Sequence, residues 1–202
     1  PGEISVIFGP NGAGKSALLR IIATLSRADD GQVNVNGFDT LRQGERVRQS
    51  TGMVLHSPML YGDLTGLENL RFFARMFRLD NAEQQISKIS NQLKVTDILD
   101  QRITTLSHGM QKRIAIARAL LHEPQVLLFD EPETGLDQQA LYLFQNLLRE
   151  WRNEGRCVLM TTHNIEIGLA VCDRVSILAG GRLKFERPRT ELTESQFRQS
   201  YS

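Results

Sequence analysis

The chain has 202 residues, 41% hydrophobic and 23% charged, and its 24 basic and 23 acidic side chains leave a net charge of +1. At roughly 150 residues per domain this length suggests one compact domain with at most an attached subdomain, and the apolar content excludes disordered, collagen-like and disulfide-scaffold classes. The near-neutral balance gives no reason to expect a nucleic acid or an acidic surface as partner. No apolar run approaches the ~18 residues of a membrane-spanning helix; the most apolar stretch is Val126-Leu127-Leu128-Phe129. No signal-peptide pattern is visible. The chain opens with Pro1-Gly2-Glu3 directly before an apolar strand, without an initiator Met, so a further piece upstream is expected. Cys157 and Cys172 form no C-x-x-C pair and sit in apolar sequence, the pattern of buried free thiols in a reducing compartment.

In chain order, strand-like runs alternate with helical patterns. Residues 4–8 read as a strand, then come a glycine-rich turn and a helix over about 15–24. Residues 32–35 end at Asn36-Gly37, a hairpin signal that predicts a small antiparallel element. A short strand is expected at 52–55. Thr65-Gly66-Leu67-Glu68 is a capping-box pattern opening a helix to about 78, and Asn81 with Gln84 opens another. Only helix is expected between 65 and 103, which makes this stretch a helical subdomain inserted into an α/β frame. The frame resumes with Met110, Ile114, Ala117 and Leu121 on one helix face, Pro124 as a stop, and a strand at 126–129. Leu141, Phe144, Leu148 and Trp151 mark the buried face of the next helix. A strand at 157–161, a short helix at 165–171, and strands at 174–178 and 182–186 around Gly180-Gly181 follow. The tail from Arg187 is polar, with Thr193 and Gln196 as a last helix start. Strands separated by helices predict a mostly parallel sheet covered on both faces.

Two motifs carry chemistry. Gly9-Pro10-Asn11-Gly12-Ala13-Gly14-Lys15-Ser16 fits G-x-x-x-x-G-K-[ST] between a strand and a helix. Glycines let backbone N–H groups converge on phosphate oxygens, and the helix N-terminus adds partial positive charge. Lys15 supplies a point charge for the β- and γ-phosphates, and Ser16 a hydroxyl for Mg²⁺. The second motif is Asp130-Glu131, which closes the apolar strand. Asp130 would hold Mg²⁺ through water, and Glu131 would orient the attacking water or take its proton. No N/T-K-x-D motif that reads guanine is present.

Between these motifs lies Leu106-Ser107-His108-Gly109-Met110-Gln111-Lys112-Arg113, and after them come Thr134-Gly135-Leu136-Asp137 and Thr162-His163. In this order the five motifs resemble the ATP-binding cassette (ABC) ATPases over essentially the whole chain. The resemblance implies a P-loop NTPase (RecA-like) α/β fold, with a mostly parallel sheet, helices on both faces, a small antiparallel element and an inserted helical subdomain. It implies one nucleotide-binding domain over 1–202, lacking part of its N-terminus: core at 1–64 and 106–186, helical subdomain at 65–105, tail at 187–202. It further implies ATP and Mg²⁺, and a head-to-tail dimer with a second copy or a related subunit. In that dimer Ser107 and Gly109 contact the γ-phosphate of ATP held by the partner, and Asp137 communicates across the dimer. His163 reaches the γ-phosphate and the attacking water. Catalysis then falls to Lys15, Glu131 and His163, in a protein bound peripherally to a membrane permease at the cytoplasmic face.

Departures from the family pattern limit the carry-over. His108 and Met110 replace the third and fifth residues of LSGGQ. Ala17 replaces a threonine, removing one α-phosphate hydrogen bond worth about 1 kcal/mol. His56, in Leu55-His56-Ser57-Pro58, stands where a glutamine normally touches Mg²⁺ and senses the membrane subunit. It is expected to act as a weaker polar sensor, or else to pack. The aromatic residue that stacks on adenine lies upstream of Pro1. Residues 57–65, 68–75, 107–111 and 161–169 are similar to the ATP-binding subunit of bacterial haem exporters of cytochrome c maturation. Exporters of drugs, lipids or polysaccharides share much of this pattern. Residues 56–63, with Met59, Leu60 and Tyr61 exposed, are expected to offer a groove to a coupling helix of the permease. The competing functions are a soluble ABC ATPase acting on DNA or ribosomes and a nucleotide-sensing module.

Overall fold

The computed structural model describes residues 2–201. Alternation within the strands explains the layers. In β5 (Val126–Asp130), Leu127 and Phe129 join one buried cluster, while Leu128 joins another with Leu19 and Ala23 of the first helix region. Successive side chains point to opposite faces of a strand, so this sheet is covered on both sides. Six strands lie in the order β4-β5-β6-β1-β7-β8: β1 is Ile4–Phe8, β4 Thr51–Val54, β6 Cys157–Thr162, β7 Arg174–Ala179 and β8 Arg182–Pro188. All pair in parallel except β8, which runs antiparallel to β7. Asn34–Val35 (β2) and Phe38–Asp39 (β3) form the small antiparallel hairpin around Asn36-Gly37. Both turn residues have positive φ, 50° and 81°, as a primed turn requires.

The helices are α1 (Lys15–Ile22), α2 (Gly44–Ser50), α3 (Gly66–Met76), α4 (Ala82–Gln92), α5 (His108–Leu120), α6 (Gln138–Asn153), α7 (Ile165–Val171) and α8 (Glu194–Tyr201). The capping box at α3 forms as expected: Thr65 Oγ1 accepts from the Glu68 amide at 3.1 Å and Glu68 Oε2 from the Thr65 amide at 2.8 Å. Asn81 stands before α4 but its side chain makes no capping bond. Helix α2 was not expected, because Val47 is its one buried residue and no apolar period marks it. Residues 65–105 hold α3, α4 and two 3-10 turns, in agreement with the helical reading.

Three expectations are corrected. The tail is not simply polar: β8 runs to Pro188, and α8 docks through Phe197, which is fully buried with its ring centroid 4.7 Å from that of Phe8. Cys157 is half-buried, while Cys172 is buried; both are free thiols. Met59 and Tyr61 are exposed, but Leu60 packs against the core.

Candidate active site

The strand β1 stops at Phe8, and residues 9–14 turn back to open α1. Gly12 and Gly14 take φ of 79° and 99°, a region that side-chain-bearing residues rarely adopt. A Cβ on Gly9 would lie 2.2 Å from the Leu178 carbonyl, so the turn starts pressed against β7. The Ala13 amide donates to the Pro10 carbonyl and the Gly181 amide to the Ala13 carbonyl. The turn encloses a cavity of about 240 Å³ lined by residues 11–17 and Glu131. Asn11, Ser16 and Ala17 are exposed at its rim, whereas Ala13 is buried.

Lys15 is buried despite its charge, and its Nζ donates to the Gly9 and Pro10 carbonyls at 2.7 and 3.2 Å. The same ammonium lies 3.8 Å from Glu131 Oε1, and that oxygen is 3.3 Å from His163 Nδ1. One carboxylate thus stands between the glycine-turn lysine and the histidine after β6. The sheet order explains the meeting: β5, β6 and β1 are neighbours, so residues 131, 163 and 15 all leave the carboxyl edge together. That edge is where open α/β sheets bind their ligands. Asp130, ending β5, is buried, and its Oδ1 accepts from Thr161 Oγ1 at 2.6 Å. Glu131 is held in the left-handed region at φ 46° while its amide donates to the Thr161 carbonyl at 3.1 Å. A non-glycine residue there carries strain of about 1–3 kcal/mol, which folds retain mostly at functional positions.

His56 lies two residues beyond Val54, which is in register with Phe129, so it leaves the same edge of the sheet as the end of β5; its side chain is exposed. Among the oxygens at this edge, the Ser16 hydroxyl and the Asp130 carboxylate are the hard donors that suit Mg²⁺. The imidazole of His56 is a poor match for that ion. Among the described residues no group of three or more His, Cys, Asp or Glu could by itself hold a metal.

The remaining expected residues form a separate group. Ser107 caps α5, its Oγ accepting from the Met110 amide at 3.3 Å, and Asp137 caps α6 through the Ala140 amide at 2.7 Å. A Cβ on Gly109 would meet the Gly135 carbonyl at 2.7 Å, and one on Gly135 would meet His108 Cδ2 at 2.5 Å. The start of α5 therefore packs on the loop that leads to Asp137. Among the described residues no hydrogen bond or ion pair joins Ser107, Gly109 or Asp137 to Lys15, Glu131 or His163.

Sequence reasoning missed the second layer. Thr161 and Thr162 hold Asp130 and Glu133 respectively, and two hydroxyls ending an apolar strand directly before His163 were the signal available. Burial raises the Glu133 carboxyl above its ordinary range, against the Thr162 hydrogen bond. Burial likewise lowers the Lys112 ammonium, against the fields of Glu133, Asp130 and Glu131.

A glycine turn opening a helix at the carboxyl edge of a parallel sheet, with a buried acid ending the strand two places along, is the arrangement of a P-loop nucleotide-binding protein. The chain belongs to the ABC transporter family, whose model matches residues 1–134. It is similar to the ABC transporter ATP-binding protein NatA of Bacillus subtilis (strain 168), 36% identical over 198 residues, covering 96% of this chain and 80% of that protein. It is also 36% identical over 184 residues to the Nod factor export ATP-binding protein I of Rhizobium etli, covering 90% of this chain and 58% of that protein. The chain thus spans most of the first relative and just over half of the second. A solved ATP-binding subunit of an ABC transporter superposes with a TM-score of 0.90 at 28% identity, covering 99% of this chain and 87% of that one. The ATP-binding cassette MJ0796, a dimer in a post-hydrolysis state with ADP and Pi, gives 0.82 at 27% identity, covering 93% and 86%. None of these relatives is named as a haem exporter, so the shared statement is the coarser one: this is an ATP-binding ABC ATPase.

Proposed function

We propose that the chain is the motor subunit of an exporter and hydrolyses ATP at composite sites between two copies. The observation that carries this is the division of the site: Lys15, Glu131 and His163 are in contact, while Ser107 and its helix start stand exposed and apart. Residues 9–17 cradle the phosphates, and Lys15 exchanges its carbonyl partners for phosphate oxygens. Ser16 and Asp130 would hold Mg²⁺, which when bound neutralises phosphate charge. Glu131 orients the attacking water and accepts its proton, and His163 keeps that carboxylate in place. The partner copy adds the Ser107 hydroxyl and the α5 amide ends, an arrangement suited to an anion. Asp137, at the end of the loop that packs on that helix start, would carry the signal across the dimer.

An apolar groove of about 180 Å³, lined by Met53, Met59, Phe73, Met76 and Phe77, opens between β4 and α3. Arg118 stacks on Phe73 at 5.2 Å and bonds the Met59 carbonyl at 3.1 Å, so the floor is fixed. We assign it to a helix of a membrane permease, which would place the protein peripherally at the inner membrane face. No helix among the described residues is long and apolar enough to cross a membrane. The cbiO1 protein of Clostridium perfringens, similar at a TM-score of 0.82 and 28% identity over 98% of this chain, is part of the transporter complex cbiONQ. Export as the direction is supported by the Nod factor export relatives; haem as cargo rests on the sequence resemblance at 57–65, 68–75, 107–111 and 161–169 alone.

The test mixes two inactive variants, Lys15→Ala and Ser107→Arg. Random dimers restore one intact site in half the population, so about a quarter of wild-type turnover should return on mixing. No recovery refutes the composite site, and nucleotide bound away from Lys15 refutes the site altogether.

A further inference from the structure

The Ser107 hydroxyl can serve a partner's ATP only where the chain holds it. Its Oγ accepts from the Met110 amide at 3.3 Å, which leaves the hydroxyl proton to donate outward from an exposed position. The direction of that proton follows the backbone that enters α5, and one half-buried side chain grips this backbone. Gln111 Nε2 donates to the carbonyls of Ile103 and Leu106 at 2.9 and 3.1 Å, and the Gln111 backbone amide donates to the Ser107 carbonyl at 2.9 Å. Residue 111 thus holds the carbonyls of both peptide units that flank the Ser107 Cα. Two carbonyl acceptors identify the gripping end of the carboxamide as its NH2 group. The helix that carries Gln111 is itself rooted in the core. Lys112, the next residue, is fully buried with its Nζ on the Leu55 carbonyl at 3.3 Å, and Arg118 donates to the Met53 and Met59 carbonyls.

We infer that Gln111 is a positioning residue for hydrolysis of the partner's ATP: its carboxamide ties the turn at Ile103–Leu106 down to α5 and so aims the Ser107 hydroxyl. It touches no reacting atom and acts through Ser107. Without the two donor bonds the turn is free to shift against the helix, and a misplacement of about 1 Å in a group that serves the reaction can cost about a hundredfold in rate. The grip acts across the dimer. Gln111 of one copy governs hydrolysis at the glycine turn of the other, because the Ser107 it aims belongs to the other copy's site.

This inference rests on the reading that each site is shared between two copies, and the experiment separates the two. Two differently tagged chains are purified together as a dimer in which the first carries Lys15→Ala, so the working site joins Lys15 of the second chain to Ser107 of the first. Gln111→Glu keeps the side-chain size, removes both donor bonds and sets a carboxylate against two carbonyls. It is placed in the first chain or in the second, and phosphate release is measured at saturating Mg-ATP. Turnover with the substitution in the first chain should lie about tenfold or more below turnover with it in the second. Both dimers carry the same substitutions, so a loss of stability lowers them equally. Gln111→Lys restores donors and should return the first arrangement to within about threefold of the dimer that carries Lys15→Ala alone. Equal turnover in the two arrangements, or a Gln111→Lys dimer as slow as the Gln111→Glu dimer, overturns the role of Gln111. If Gln111→Glu fails to fold, Gln111→Met, which removes the donors without adding a charge, is compared in its place. Ser107→Arg in the same two arrangements reports on the shared site itself. Without asymmetry there, the shared-site reading falls and this inference with it; asymmetry for Ser107 and none for Gln111 overturns the inference alone.

Discussion

Glu131→Gln is the sharpest perturbation of the site, because one oxygen of Glu131 faces both Lys15 and His163. At 3.8 Å from Lys15 Nζ, the Coulomb attraction is about 4 kcal/mol at an effective dielectric of ~20. The Glu131 side chain is 19% exposed, and screening with side-chain ordering cuts the net to about 1–2 kcal/mol. Nucleotide binding has to break that pairing, so the amide should tighten ATP by about 5–30-fold. Turnover should fall by about 10²–10⁴, the range for losing a general base. Phosphate release and a fluorescent-ATP titration on the same preparations read the two effects. Turnover within about tenfold of wild type, or weaker ATP binding, would refute the reasoning.

Other expectations follow from burial. His122 stacks on Phe77 at 3.8 Å with Nε2 on the Thr51 carbonyl, and burial pushes its pKa down to about 4, with Arg118 and Arg156 also lowering it. The native imidazole stays neutral while the unfolded one takes a proton below about 6.5, so stability is full above that pH and is lost between about 6.5 and 4, by about 3 kcal/mol. Urea unfolding across that window should show the loss, and His122→Gln should flatten it. Phe197→Ala removes a fully buried ring packed on Phe8 and should cost about 3 kcal/mol in the same assay; an unchanged midpoint would mean that α8 does not support β1. Thr65→Ala deletes half of the capping box at α3 and should cost about 1 kcal/mol, with faster amide exchange in the first turn of that helix.

Local chemistry made much of this protein legible in advance. Glycines at 9, 12 and 14 before Lys15, Asn36-Gly37, the Thr65–Glu68 box and the apolar run at 126–129 each act over a few residues, where backbone preference and alternation decide the outcome. The same residues exposed the phosphate cradle and the two acids. Helix α2 escaped because one apolar residue sets no period, whereas Asn81 marked the start of α4 although its side chain makes no capping bond. The tertiary structure alone decided that Glu131 stands between Lys15 and His163, that Thr161 and Thr162 grip two carboxylates, that Lys112 is buried and that Phe197 covers Phe8. Those neighbours lie far apart in the chain, and their meeting depends on the order β5-β6-β1 and on which face each helix covers. Sequence periodicity reports which side of an element is apolar, not what lies opposite it, and only the folded arrangement supplies the second partner.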